Sequence, residues 1–147
     1  MLADPSDREL LGAFPYQSND VVLHTDRGLL PRRRRAWASW NYHLRERESD
    51  RPTLTYHMNR LQSLRADREF LVTLNRSEDI RREHVIARFA YDHPVFTAAG
   101  VAAQTRWCEL DGVNRTSYCG AYWGWGFHED GVLSALRACA RFGVKLA

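Results

Sequence analysis

Cysteine is scarce and unpatterned. Cys108, Cys119 and Cys139 give neither an even disulfide framework nor a metal-binding spacing. They read as small buried residues of a reducing compartment. No apolar run approaches membrane-spanning length, and Met1-Leu2-Ala3-Asp4-Pro5 lacks the apolar core of a secretion signal. A cytoplasmic protein without stable membrane insertion is therefore expected. The six histidines, His24, His43, His57, His84, His93 and His128, make no i,i+4 pair and no Cys/His cluster, so no metal site is predicted. There is no Gly-x-Ser-x-Gly elbow and no cysteine with a base beside it, which leaves nucleophilic hydrolysis without support. Internal repeats, low-complexity tracts and interdomain linkers are absent as well. Net charge is small at +3, and much of it sits in Arg32-Arg33-Arg34-Arg35. That run reads as a solvated turn after Leu30-Pro31. A nucleic-acid or anionic-ligand site needs more than four arginines, and no nucleic-acid partner is expected.

What is present is apolar and ring-rich. At 147 residues and 44% hydrophobic, the chain has enough for one real core. Five Trp, six Tyr and six Phe supply cores and ligand pockets alike.

The elements come in two groups. Ser6-Asp7-Arg8-Glu9 is a capping box that opens a short helix through Leu10, Leu11 and Phe14, ended by Pro15. Strands are expected at Val21–Thr25, Ala36–Tyr42, Thr53–Asn59, Phe70–Leu74 and Val85–Tyr91. Asp26-Arg27-Gly28 is a turn and Leu44 to Pro52 a charged loop. His93-Pro94 breaks the chain. Phe96 to Trp107 then reads as a helix, Thr116 to Cys119 as a short strand, and Glu129 to Phe142 as a final helix closed by Gly143. The predicted fold class is α+β, a mostly antiparallel sheet followed by a strand–turn–helix unit.

The turn before the last helix carries the densest signal. Gly120, Gly124, Gly126 and Gly131 fall within twelve positions, interleaved with Tyr122, Trp123, Trp125 and Phe127. Glycines let a backbone approach a ligand closely, and rings wall a planar one. Glu129 and Asp130 suit the positive end of the helix that follows. The same pattern equally describes a turn whose rings pack in a core.

This segment, Gly126-Phe127-His128-Glu129-Asp130-Gly131-Val132-Leu133-Ser134-Ala135, resembles the flavin-contacting segment of FAD-dependent amine oxidases and their relatives, the protoporphyrinogen oxidases and phytoene desaturases. The family pattern is Gly-Tyr-Met-Glu-Gly-Ala-Val-x-Ser-Gly, after a strand ending in Ala-Gly. Gly126, Glu129, Val132 and Ser134 match it, Phe127 is an aromatic exchange, and Cys119-Gly120 stands for the Ala-Gly. Nearly the whole chain is similar to the C-terminal part of a bacterial group of predicted NAD/FAD-binding, amine oxidase-like proteins. The segments Gly12–Thr25, Leu30–Tyr42, Thr55–Gln62 and Cys119–Gly131 carry that likeness.

The resemblance implies a flavin-dependent oxidoreductase, with hydride passing from substrate to FAD. It implies FAD contacts at Gly120, Ala121, Gly126, Phe127, His128, Glu129 and Val132. Backbone N–H groups of His128 and Glu129 would meet the flavin's N1/O2 edge, and Phe127 would line the substrate cavity. Residues from about 12 to 92 would form the substrate-side sheet, and those from about 93 to 147 the FAD-contacting part. No catalytic residue is named. Tyr122 and Trp123 replace the acidic residue the family has after Ala-Gly, and Asp130-Gly131 replaces its Gly-Ala. The Rossmann fingerprint Gly-x-Gly-x-x-Gly is absent. The chain is therefore expected to be the C-terminal part of an incomplete amine-oxidase-like fold. It would be inactive alone and need an FAD-binding N-terminal half from the same gene or another chain. The rival expectation is a non-enzymatic module that pairs with another polypeptide.

Overall fold

A computed structural model describes residues 5–44 and 51–144. The predicted cap at Ser6 and most of the charged loop after Leu44 lie outside the residues and side chains described. In chain order the elements are α1 (Pro5–Gly12), β1 (Tyr16–His24), β2 (Trp40–Tyr42), β3 (Leu54–His57), α2 (Met58–Leu61), β4 (Leu71–Leu74), β5 (Val85–Pro94), α3 (Ala98–Gln104) and α4 (His128–Ala140). The architecture is α+β, with one open five-stranded sheet in the order β2-β3-β4-β1-β5. The pairs β2–β3, β3–β4 and β4–β1 are antiparallel. Among the described residues no helix is long and apolar enough to cross a membrane.

The chain forms two compact units, residues 18–93 and residues 1–17 with 94–147. The division falls within β1 and β5, so no linker composition marks it. The first unit is the sheet.

Register sorts the sheet's side chains into two unlike faces, because directly opposed residues share a face. One face holds the row Val22–Thr73–Thr55–Asn41 and the row His24–Leu71–His57. All seven are buried, and Val22, His24, Thr55, Leu71 and Thr73 are completely so. The other face holds Val21, Leu74, Leu54 and Tyr42 beside Leu23, Val72, Tyr56 and Trp40. These eight are all apolar or aromatic, yet Trp40 and Tyr42 are 49% and 63% exposed. The better-buried face is thus the more polar one.

Burial of polar groups requires that each find a partner. His24 Nε2 lies 2.7 Å from Thr73 Oγ1, which lies 2.8 Å from Thr55 Oγ1, which lies 2.8 Å from His43 Nε2. Asn41 binds Ala38 through both amide atoms and donates to Thr55 O at 3.2 Å. His57 donates to Glu69 at 2.7 Å, and its ring meets Trp37 edge-on at 5.5 Å. Arg34 also reaches Glu69 and stacks over Trp37. One residue of the arginine run is therefore part of the cover over His57.

The cover over the buried face comes from the segments after β1 and before β5. Leu29, Ile80 and Val85 pack on Val22. Asp26 ties the two segments together. Its carboxylate accepts from Gly28 N at 2.9 Å, Arg81 N at 3.1 Å, and Arg81 Nε and Nη2 at 3.0 Å each. The Arg81 guanidinium holds this carboxyl far below the usual carboxylate range.

Several sequence expectations are corrected. The strand expected at Ala36–Tyr42 is confined to Trp40–Tyr42, because residues 34–36 turn in a 3₁₀ helix that brings Trp37 under the sheet. The strand expected to run to Asn59 stops at His57, where the helical turn α2 takes over. His93-Pro94 does not break the chain. β5 runs through it, and a proline is tolerated as the last residue of an edge strand. No strand forms at Thr116–Cys119. Gly112, Asn114 and Arg115 take left-handed φ of 78°, 50° and 60° just before it, and among the described residues no strand pairs with it. All three cysteines are exposed rather than buried. The helices at Phe96–Trp107 and Glu129–Phe142 are shorter or shifted, at Ala98–Gln104 and His128–Ala140.

Truncating Asp26 removes four hydrogen bonds from a buried site, two of them from the Arg81 guanidinium. We expect Asp26→Ala to cost about 2–4 kcal/mol in chemical denaturation of the sheet unit. Arg34→Ala removes an exposed ion pair and should cost under about 1 kcal/mol. Equal losses in the two variants would show that Asp26 does not anchor the cover.

Candidate functional site

The second unit is built on rings. Leu10 and Phe14, Ala103 of α3, Leu110 and Trp123 form its core, with Tyr118 and Tyr122 packed against them. Phe14 meets Tyr122 at 5.0 Å and Trp123 at 5.2 Å. Burial lifts the Tyr122 phenol to about 12, so it stays protonated at neutral pH and offers no base.

The glycine-rich turn is held from three sides. Residues 121–123 form a 3₁₀ turn, and Gly126 N–H donates back to Ala121 O at 3.1 Å. Gln104, the last residue of α3, donates its amide to Tyr122 O at 2.9 Å and Gly124 O at 2.6 Å. Ser134, buried on α4, accepts from Gly120 N at 3.0 Å. Asp130 reaches back over the helix start and accepts from Trp125 N at 3.0 Å and Phe127 N at 2.9 Å. This is the backward-reaching half of a capping box, with an acid at the positive helix end.

The four rings of the turn divide evenly. Tyr122 and Trp123 face the core, and Trp123 is fixed by its Nε1–H to Tyr118 O at 3.0 Å. Trp125 and Phe127 are 65% and 53% exposed. Gly126 lies between them at φ +86°, a conformation that a side chain resists. A Cβ there would also press on the Phe96 ring at 3.3 Å.

The structure brings most of the sequence-predicted contact residues together. Ala121 and Gly126 are hydrogen-bonded, Phe127 caps α4, and His128, Glu129 and Val132 lie on its first turns. His128 and Glu129 are exposed, and their backbone N–H groups have no acceptor among the described residues. Gly120 is set apart, bonded to Ser134 one turn further along α4. Sequence reasoning missed Gln104. It lies 18 and 20 residues from the carbonyls it binds, and nothing local marks it.

The cavity beside Trp123, Ser134 and Arg137 holds about 10 Å³, enough for one water. The features of the turn that face outward are the exposed rings and the helix start. A separate open groove of about 540 Å³ runs between α1 and α3, floored by Gly12, Ala13, Ala99, Ala102 and Ala103. Among the described residues no group of three or more His, Cys, Asp or Glu is placed to hold a metal.

No protein-family model matches this chain, and no curated protein matches it.

The Asp130 carboxylate closes the turn from outside the core. Asp130→Ala should therefore cost only about 1 kcal/mol. It should also accelerate amide exchange at Trp125 and Phe127 while leaving that of the core residue Trp123 unchanged. Exchange rising at all three amides alike would mean that the turn depends on the core and not on Asp130.

Proposed function

We propose that this chain supplies the flavin-ring-contacting part of an FAD-dependent oxidoreductase of the amine oxidase type. The observation that carries the reading is the start of α4. A left-handed glycine, two outward rings and two acceptor-free N–H groups converge there on a surface held rigid from below. These features fit a planar, electron-rich group. Trp125 and Phe127 offer apolar walls, and His128 and Glu129 offer backbone donors at a positive helix end. Gly126 lets the chain come close without a side chain in between.

FAD, when bound, supplies the hydride acceptor. The chain's residues position it, exclude water and place fixed dipoles where negative charge grows on reduction. The donors are backbone groups, so they need no reorganisation when the charge appears. The phosphates and ribose of FAD require a Gly-x-Gly-x-x-Gly site on a partner half, because these 147 residues contain none. Gly120, Ala121 and Val132 complete the contact set of the reading.

A second reading, a pairing module without chemistry, is favoured by the open groove between α1 and α3 and by the exposure of Val132, Leu133 and Phe142.

The two readings part in an assembled complex. The chain alone should show no tight FAD binding by calorimetry. Joined to an FAD-binding half it should turn yellow. Gly126→Val should abolish flavin uptake with the fold retained by circular dichroism, whereas His128→Ala should keep it, since the backbone donor survives. A folded Gly126→Val complex with full flavin content would overturn the contact, and a complex that forms without flavin would support the pairing module.

A further inference from the structure

The hydrogen-bonded row through Thr73 and Thr55 ends on two histidines, His24 and His43, for which the proposed function has no use, and one amide at its His24 end sets its direction. Asp26 N–H donates to His24 Nδ1 at 3.1 Å, and a backbone N–H acts only as a donor. The neutral His24 ring therefore carries its proton on Nε2 and donates it to Thr73 Oγ1. With Thr73 donating on to Thr55, and Thr55 to a bare His43 Nε2, each hydroxyl proton also finds an acceptor within the row. Every member is satisfied in this direction. The opposite direction would leave His24 accepting at both nitrogens, which a neutral imidazole does not do.

We propose that this one-way chain is an acid-sensitive latch that ties β1, β3 and β4 to His43, just after β2, and is fully satisfied only while both histidines are neutral. A second proton on His43 sets an N–H against the Thr55 O–H, and a second proton on His24 sets an N–H against the Asp26 amide. Turning the Thr55 hydroxyl toward Thr73 relieves the first clash only by taking the acceptor from the Thr73 proton, and nothing relieves the second, because the Asp26 amide does not turn.

The charged surroundings give the sign. His24 faces Asp26, whose charge is shared with Arg81, and His84; His43 faces Arg76 and Asp79. Burial outweighs the Asp26 charge and holds His24 at about 4, below its ordinary 6.5, and burial with the Arg76 charge lowers His43 in the same direction. An opened ring takes up a proton below 6.5, whereas latched His24 does so only near 4. The latch is therefore fully stabilised above pH 6.5 and weakens as pH falls through that window. At pH 4.5 His24 alone shifts the open-to-closed ratio by roughly 80-fold.

The test is NMR of the full chain with ¹⁵N-labelled imidazoles, titrated from pH 7.5 to 4. Above pH 7, His24 should be protonated at Nε2 and His43 at Nδ1, each without tautomer exchange. Between about 6.5 and 4 the amide signals of β1, β3 and β4 should lose dispersion together, while those of α4 persist. A His24→Gln, His43→Gln double variant preserves a donor and an acceptor at one end and an acceptor at the other, with neither end of the latch left to titrate. Its sheet signals should hold to about pH 4. The proposal is overturned by His24 protonated at Nδ1, by mixed tautomers at either ring, or by the same acid midpoint in wild type and variant. If the double variant does not fold, the wild-type tautomers and titration decide alone.

Discussion

Much of the sheet unit depends on one residue used twice. The Asp26 amide orients His24, and the Asp26 carboxylate pins the segments that cover His24 from above. Remove the cover and the polar row meets water. Turn the amide away and the row loses its direction. A buried layer of His, Thr and Asn is demanding, because an unpaired member costs about as much as a good contact gains. In return it fixes the register. A one-residue slip of β4 would carry Thr73 to the apolar face and break the link between Thr55 and His24.

The two units solve the problem of a small core differently. The sheet unit joins polar side chains into a continuous chain and fills in around them with Val22, Leu29 and Ile80. The other unit packs rings, with Phe14, Tyr122 and Trp123 within 5.2 Å of one another by ring centre. Packed rings tolerate small displacements, whereas a directed chain of hydrogen bonds does not. The turn before α4 borrows from both solutions. Its inner rings belong to the aromatic core, and its backbone is fixed by Gln104, Ser134 and Asp130.

Legibility in the sequence followed the range of the interactions. Val21-Val22-Leu23 and Leu71-Val72-Thr73-Leu74 read as strands because β-branched and aliphatic residues crowd together there, and both are strands. Gly143 read as a helix closure, and it sits at φ +70° just beyond α4. The failures lie where distant residues decide. Trp37 looks like strand, but the contact with His57 and the bond to Pro31 pull it into the cover. Thr116–Cys119 looks like strand, but a strand needs a neighbour, which local composition does not supply. The polar row had a faint local trace in the alternation Thr53, Thr55, His57. That alternation marks a face without saying that the face is buried, and the partners of Thr55 lie 12 and 18 residues away. The cysteines misled because small apolar residues are usually inside, and in this chain they fall on exposed positions.

The division of the four turn rings is the point at which fold and proposed function meet. A turn that served only the core would bury its rings in proportion to their size, and Trp125 would be the first to go in. It is instead the most exposed of the four, beside the left-handed Gly126, while Tyr122 and Trp123 on the inner side are packed and hydrogen-bonded. Exposing a tryptophan forgoes about 2 kcal/mol or more of burial. The turn forgoes it on a backbone that three side chains hold still, so the outward geometry is determined and not a by-product of looseness. Rigid support under exposed rings and acceptor-free donors is what a contact surface for a planar ligand needs. This is why the start of α4, and not the open groove or the apolar sheet face, carries the functional reading.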